Sequence, residues 1–124
     1  MNQGDEKKID CGADMAADTA PSIEYNFPPT VFVDRNEFLE QVEHFLSEVQ
    51  EVRGVLEGIE EFRQYPVMTE GLCMRLLEEL VDAYHSLETT FRILDKRGDL
   101  VPYTFTLVEE KNRARGYYGS GEGI

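Results

Sequence analysis

Basic residues are scarce in this sequence. Twelve Lys and Arg stand against twenty-five Asp and Glu, a net charge of −13 over 124 residues. That balance excludes autonomous binding to a nucleic-acid backbone, which needs clustered Lys and Arg. It equally excludes docking on anionic lipid. The expected partner is a basic protein, with no direct nucleic-acid binding and no membrane. Long apolar runs are also missing, and none approaches the roughly 18–20 residues that span a bilayer. Residues 1–20, MNQGDEKKIDCGADMAADTA, lack the apolar core of a secretory signal. Only two cysteines occur, Cys11 in that polar stretch and Cys73 in a helical pattern. Both read as free thiols in a reducing, cytoplasmic setting, with Cys73 a buried structural thiol.

Motifs for chemistry are few. No Gly-Lys-Ser/Thr is present, so there is no phosphate-binding loop of the NTPase kind. Neither cysteine nor any serine has the context of a nucleophile. Two pairs have metal-ligand spacing on a helix, Glu40 with His44 and Asp82 with His85. His44 lies off the apolar seam and the carboxylates fall mainly on the outer face. The expectation is therefore no metal, no cofactor and no enzymatic activity.

What is present is helical periodicity. Phe38, Val42, Phe45, Val49, Val52, Leu56 and Ile59 recur in steps of four and three, a heptad seam. Cys73, Leu77, Leu80, Tyr84, Leu87, Phe91 and Leu94 repeat it. Asp34 or Asn36 can cap the first helix and Thr69 the second. Pro66 stops the first, and Gly98 takes the left-handed position beyond the second. The expected fold is mainly α: an antiparallel two-helix hairpin, with helices at about 35–65 and 69–97. Short extended or β segments lie before and after it. The arm before it contains Pro28 and Pro29. In the segment after it, Val101, Tyr103, Phe105 and Leu107 alternate like a strand. Both helices carry stripes wider than one seam, so dimerisation into a four-helix bundle is expected. The domain limits are a disordered acidic leader at 1–21, the hairpin domain at 22–110 and a flexible Gly-rich tail at 111–124.

Two surfaces remain free to work. The first helix carries nine acids against three bases over residues 34–65. On a wheel of about 100° per residue, Glu37, Glu40, Glu43, Glu48, Glu51, Glu57 and Glu61 fall opposite the seam. Ser47, Gly54 and Gly58 line up among them, although each glycine costs a helix interior about 1 kcal/mol relative to alanine. Glu40, Glu43, Ser47, Glu51, Gly54, Gly58 and Glu61 thus form the expected partner-binding face. The function that follows is a non-enzymatic acidic interaction protein that modulates a basic partner, as an inhibitor, antitoxin, immunity or anti-defence protein does. The alternative is an oligomeric binder of a small ligand such as a nucleotide. It would use Lys111, Arg113, Arg115, Tyr117 and Tyr118 of the tail.

Overall fold

A computed structural model of the chain describes residues 23–119. The leader expected at 1–21, with Cys11, and the last five residues of the tail lie outside the described residues. The rest contains α1 (Phe32–Arg35), α2 (Phe38–Glu61), α3 (Pro66–Leu94) and α4 (Leu100–Ala114), with no strand among the described residues. The mainly helical expectation holds. Tyr25–Lys96, with α1 to α3, is one compact unit, and α4 belongs to another.

The helix ends follow local chemistry. Asn36 does not cap α2; Glu37 takes that place with extended backbone, and the Asn36 amide instead donates to Gln41 Oε1 at 2.9 Å. Asp34 lies inside α1, a single turn where an extended arm was expected. The expected connector Pro66–Thr69 is the first turn of α3. Proline is favoured at the first helical position, where its missing N–H is not needed. Thr69 spends its hydroxyl on the Phe62 carbonyl at 2.8 Å, tying the two helices at their turn. Gly98 has φ of +91°, the left-handed conformation read from the sequence.

Gln41, early in α2, donates to the backbone oxygen of Ser86, late in α3, at 3.2 Å. Gly58, late in α2, lies against Leu72, early in α3. These contacts set the two helices in opposite directions. The inward stripe of α2 keeps Val42, Phe45, Val52 and Ile59 of the expected seam, all half-buried, and departs from the rest of it by one residue. Gln41 and Val55 are buried and Glu48 is half-buried between them, while Val49 and Leu56 are exposed. The reason is polar. Gln41, 1% exposed, satisfies its amide on Ser86 and Asn36, and it turns the helix so that apolar neighbours face outward. Cys73, expected in the packed seam, is exposed. Among the described residues, the buried apolar side chains are only Val55, Ala83, Val101 and Pro102. Gln41, Ser86, Glu88, Thr89, Thr90 and Asp95 are buried as well.

The strand expected after the hairpin is a helix. The alternation of Val101, Tyr103, Phe105 and Leu107 competes with a helical spacing of Leu100, Tyr103, Leu107 and Val108. Pro102 falls in the first turn of α4, where no intrahelical N–H is required. Thr104 and Thr106 return their hydroxyls to the carbonyls of Leu100 and Pro102. Lys111 and Arg113 suit its negative end.

Candidate metal centre between two helices

α2 and α3 each present a pair of carboxylates three residues apart: Glu48 and Glu51 on one, Glu79 and Asp82 on the other. Such spacing puts both side chains of a pair on one helix face. Packing brings oxygen atoms of Glu48, Glu51 and Glu79 within 4.8 Å of one another. Glu48 and Glu51 were read as outward-facing. The one-residue rotation of α2 turns Glu48 inward and sets Glu51 against Glu79.

The Glu79 side chain is 14% exposed and Arg75 Nε reaches Oε2 at 4.0 Å, but Oε1 is buried without a hydrogen-bond partner. Burial pushes its carboxyl above the ordinary value of 4.5. The neighbouring Glu51 carboxyl pushes the same way, as does Asp82, and Arg75 offsets only part. A bound cation would relieve this repulsion.

Beside this cluster is a cleft of about 190 Å³. Its walls include Glu48, His44 and Gln41 from α2, Asp82, His85 and Ser86 from α3, and Thr30 and Phe32 from the arm and α1. His44 Nε2 lies 3.6 Å from Glu48 Oε2. His85 Nε2 is buried without a hydrogen-bond partner. Of the residues singled out for metal spacing, His44, Asp82 and His85 meet in this cleft, while Glu40 is exposed and outside it.

The arm is fixed to α3 by a second carboxylate. Glu88 is 1% exposed, and its oxygens accept the backbone N–H groups of Asn26 at 2.7 Å and Phe27 at 3.0 Å. Burial alone would raise its carboxyl. The two amides, the Tyr84 hydroxyl and Arg92 outweigh burial and hold it below the ordinary value. Phe27 stacks on His85 with centroids 4.1 Å apart.

The expected partner-binding face divides. Glu40, Glu43, Ser47 and Glu61 are exposed. Glu51, Gly54 and Gly58 line a groove with Val55, Leu72 and Arg75, so the glycines border the α2–α3 contact rather than the outer face. In the tail, Lys111 and Arg113 lie in α4. Arg113 sits 5.5 Å over Tyr118 and Arg115 6.0 Å over Tyr117, and Arg113 also pairs with Glu109 at 2.9 Å.

Sequence reasoning passed over Glu48 and Glu79 as a pair, although the signal was there: one carboxylate pair at i, i+3 on each of two helices. The chain matches no protein-family model, no curated protein and no solved structure.

Proposed function

We propose that the α2–α3 carboxylates hold a hard divalent cation, Mg2+ or Mn2+, and use it to bind and hydrolyse a phosphorylated small molecule of the nucleotide class. The observation that carries this is the convergence of Glu48, Glu51 and Glu79 within 4.8 Å. All-oxygen donors favour hard cations. Mg2+ in particular takes one or two carboxylates and completes its shell with water and substrate phosphates. A cation also answers the Glu51–Glu79 repulsion without a proton. The strongly negative chain makes the same demand, since a polyphosphate enters an acidic cleft only when a cation bridges the two. Glu48, Glu51 and Glu79 would hold the cation, which would lower the pKa of a bound water and so supply a nucleophile for phosphate-ester hydrolysis. His44, beside Glu48, is placed to orient that carboxylate.

Titrating Mg2+ or Mn2+ while following thermal unfolding tests this. A cation at a hundred times its Kd adds about 2.7 kcal/mol. Glu79→Gln is expected to abolish the gain, and Glu40→Gln, outside the cleft, to leave it intact. The reading is wrong if millimolar cation leaves the wild-type transition unmoved. It is equally wrong if no phosphate is released from any nucleoside triphosphate.

The exposed acids support a second reading, an acidic surface for a basic partner. Glu40, Glu43 and Glu61 are exposed and enter none of the ion pairs among the described residues. Both readings take the hairpin as half of a symmetric assembly, with a second copy covering the apolar side chains that α2 and α3 leave exposed.

A further inference from the structure

We infer that the segment from Tyr25 to Phe32 is a strap that walls the cleft against the organic part of its ligand, and that Glu88 is the catch that holds the strap. The ligand half of this rests on the cation reading above; the catch does not. A fully buried carboxylate is costly unless its lone pairs are filled. Backbone amides of a segment outside any ladder are costly if left bare. Glu88 and the amides of Asn26 and Phe27 resolve both costs with two bonds, 2.7 and 3.0 Å long.

The surrounding contacts all pull the same way. Tyr84 donates its hydroxyl to Asn26 Oδ1 at 2.8 Å. The Arg92 guanidinium lies 3.9 Å over the Tyr25 ring. The Thr30 and Thr89 hydroxyls are 3.2 Å apart. Pro28 and Pro29 fix two φ angles in succession, which narrows the paths open to the chain between Phe27 and Thr30. Thr30 and Phe32 form the wall facing His44 and Asp82, with Glu48 in the same cleft. Phe27, flat on His85, fixes the orientation of that ring. Of the three carboxylates Glu48 lines this cleft, so a ligand whose phosphates are tethered there through a cation has the strap in the same cleft to meet its organic part. Glu88 is a positioning residue. It acts through the strap and touches neither cation nor ligand.

The full-length protein tests this with two probes in the presence of Ca2+: each common ribonucleoside triphosphate, and inorganic tripolyphosphate, which has no organic part. Phe27→Ala and Glu88→Gln are expected to weaken the tightest-binding nucleotide about tenfold, the scale of one lost packing or hydrogen-bonding contact, and to leave tripolyphosphate within about twofold. Equal losses for both probes, or no loss for either, would overturn the strap. Hydrogen exchange supplies a readout independent of ligand. The Asn26 and Phe27 amides are expected to exchange slowly in the wild type and fast in Glu88→Gln. Fast exchange in the wild type overturns the catch. A wild type that binds neither probe sinks the cation reading and the wall with it, and slow exchange at those two amides would still establish the catch.

Discussion

Glu79 and Glu88 both belong to α3 and are perturbed in opposite directions, which gives them opposite effects on stability. The Glu79 carboxyl is raised, first by burial and then by Glu51. The folded state therefore holds that proton more tightly than the unfolded chain does. Its contribution is full below the ordinary value of 4.5 and is lost as pH rises through the raised folded value. Glu88 is lowered, so its contribution is present above 4.5 and is lost as pH falls through the folded value. Urea unfolding across pH checks both signs. Without divalent cation, Glu79→Gln is expected to remove the loss of stability on the rising side, and Glu88→Gln to flatten the loss on the acid side. If Glu79→Gln leaves the rising side unchanged, the carboxylate pair is not under strain. Neither shift was legible in the sequence, although the spacing that places Glu79 beside Asp82 was. A glutamate's surroundings are set by residues tens of positions away, and a helix wheel scores every glutamate as outward.

At the scale of elements, the periods were legible and the phases only in part: Val42, Phe45, Val52 and Ile59 of the expected α2 seam face inward, and Val49 and Leu56 do not. Steps of three and four identified α2 and α3, whereas the exact inward line depended on Gln41, a polar residue that an apolar wheel places outside. The strand expected at Val101–Leu107 failed for a related reason. A short alternating run fits both periods, and only a partnered ladder decides for the strand. The glycines show what a phase error changes. A Cβ at Gly54 meets nothing within 4 Å, and one at Gly58 meets Leu72 at 3.6 Å, ordinary contact. Neither glycine is required by packing. Gly54→Ala and Gly58→Ala are each expected to stabilise the protein by about 1 kcal/mol in chemical denaturation, from helix propensity. A loss at Gly58 would mean that the two helices approach more closely in solution than this contact allows.

For the whole molecule, the balance of exposed and buried apolar side chains governs. Phe38, Leu39, Leu46, Val49 and Leu56 on α2, and Leu77, Leu80, Val81 and Tyr84 on α3, are all exposed. The buried apolar residues of the same unit are Val55 and Ala83. This imbalance supports the proposal that a second copy covers these side chains. Light scattering at micromolar concentration is expected to give at least twice the chain mass of 14.2 kDa. Leu77→Glu with Val81→Glu is expected to lower it. A wild-type particle of one chain mass would remove the assembly from both functional readings.

The contact between Asn26 and Glu88 spans 62 positions in sequence. A chain is synthesised from its N-terminus, so the strap leaves the ribosome well before its catch exists. Until α3 has been translated as far as Glu88 and has folded against α2, the amides of Asn26 and Phe27 have only water to bond. Closing so long a loop is entropically unfavourable until other contacts have shortened it. The segment made early is thus placed late, and the cleft gains its wall only when the rest of its unit is already built.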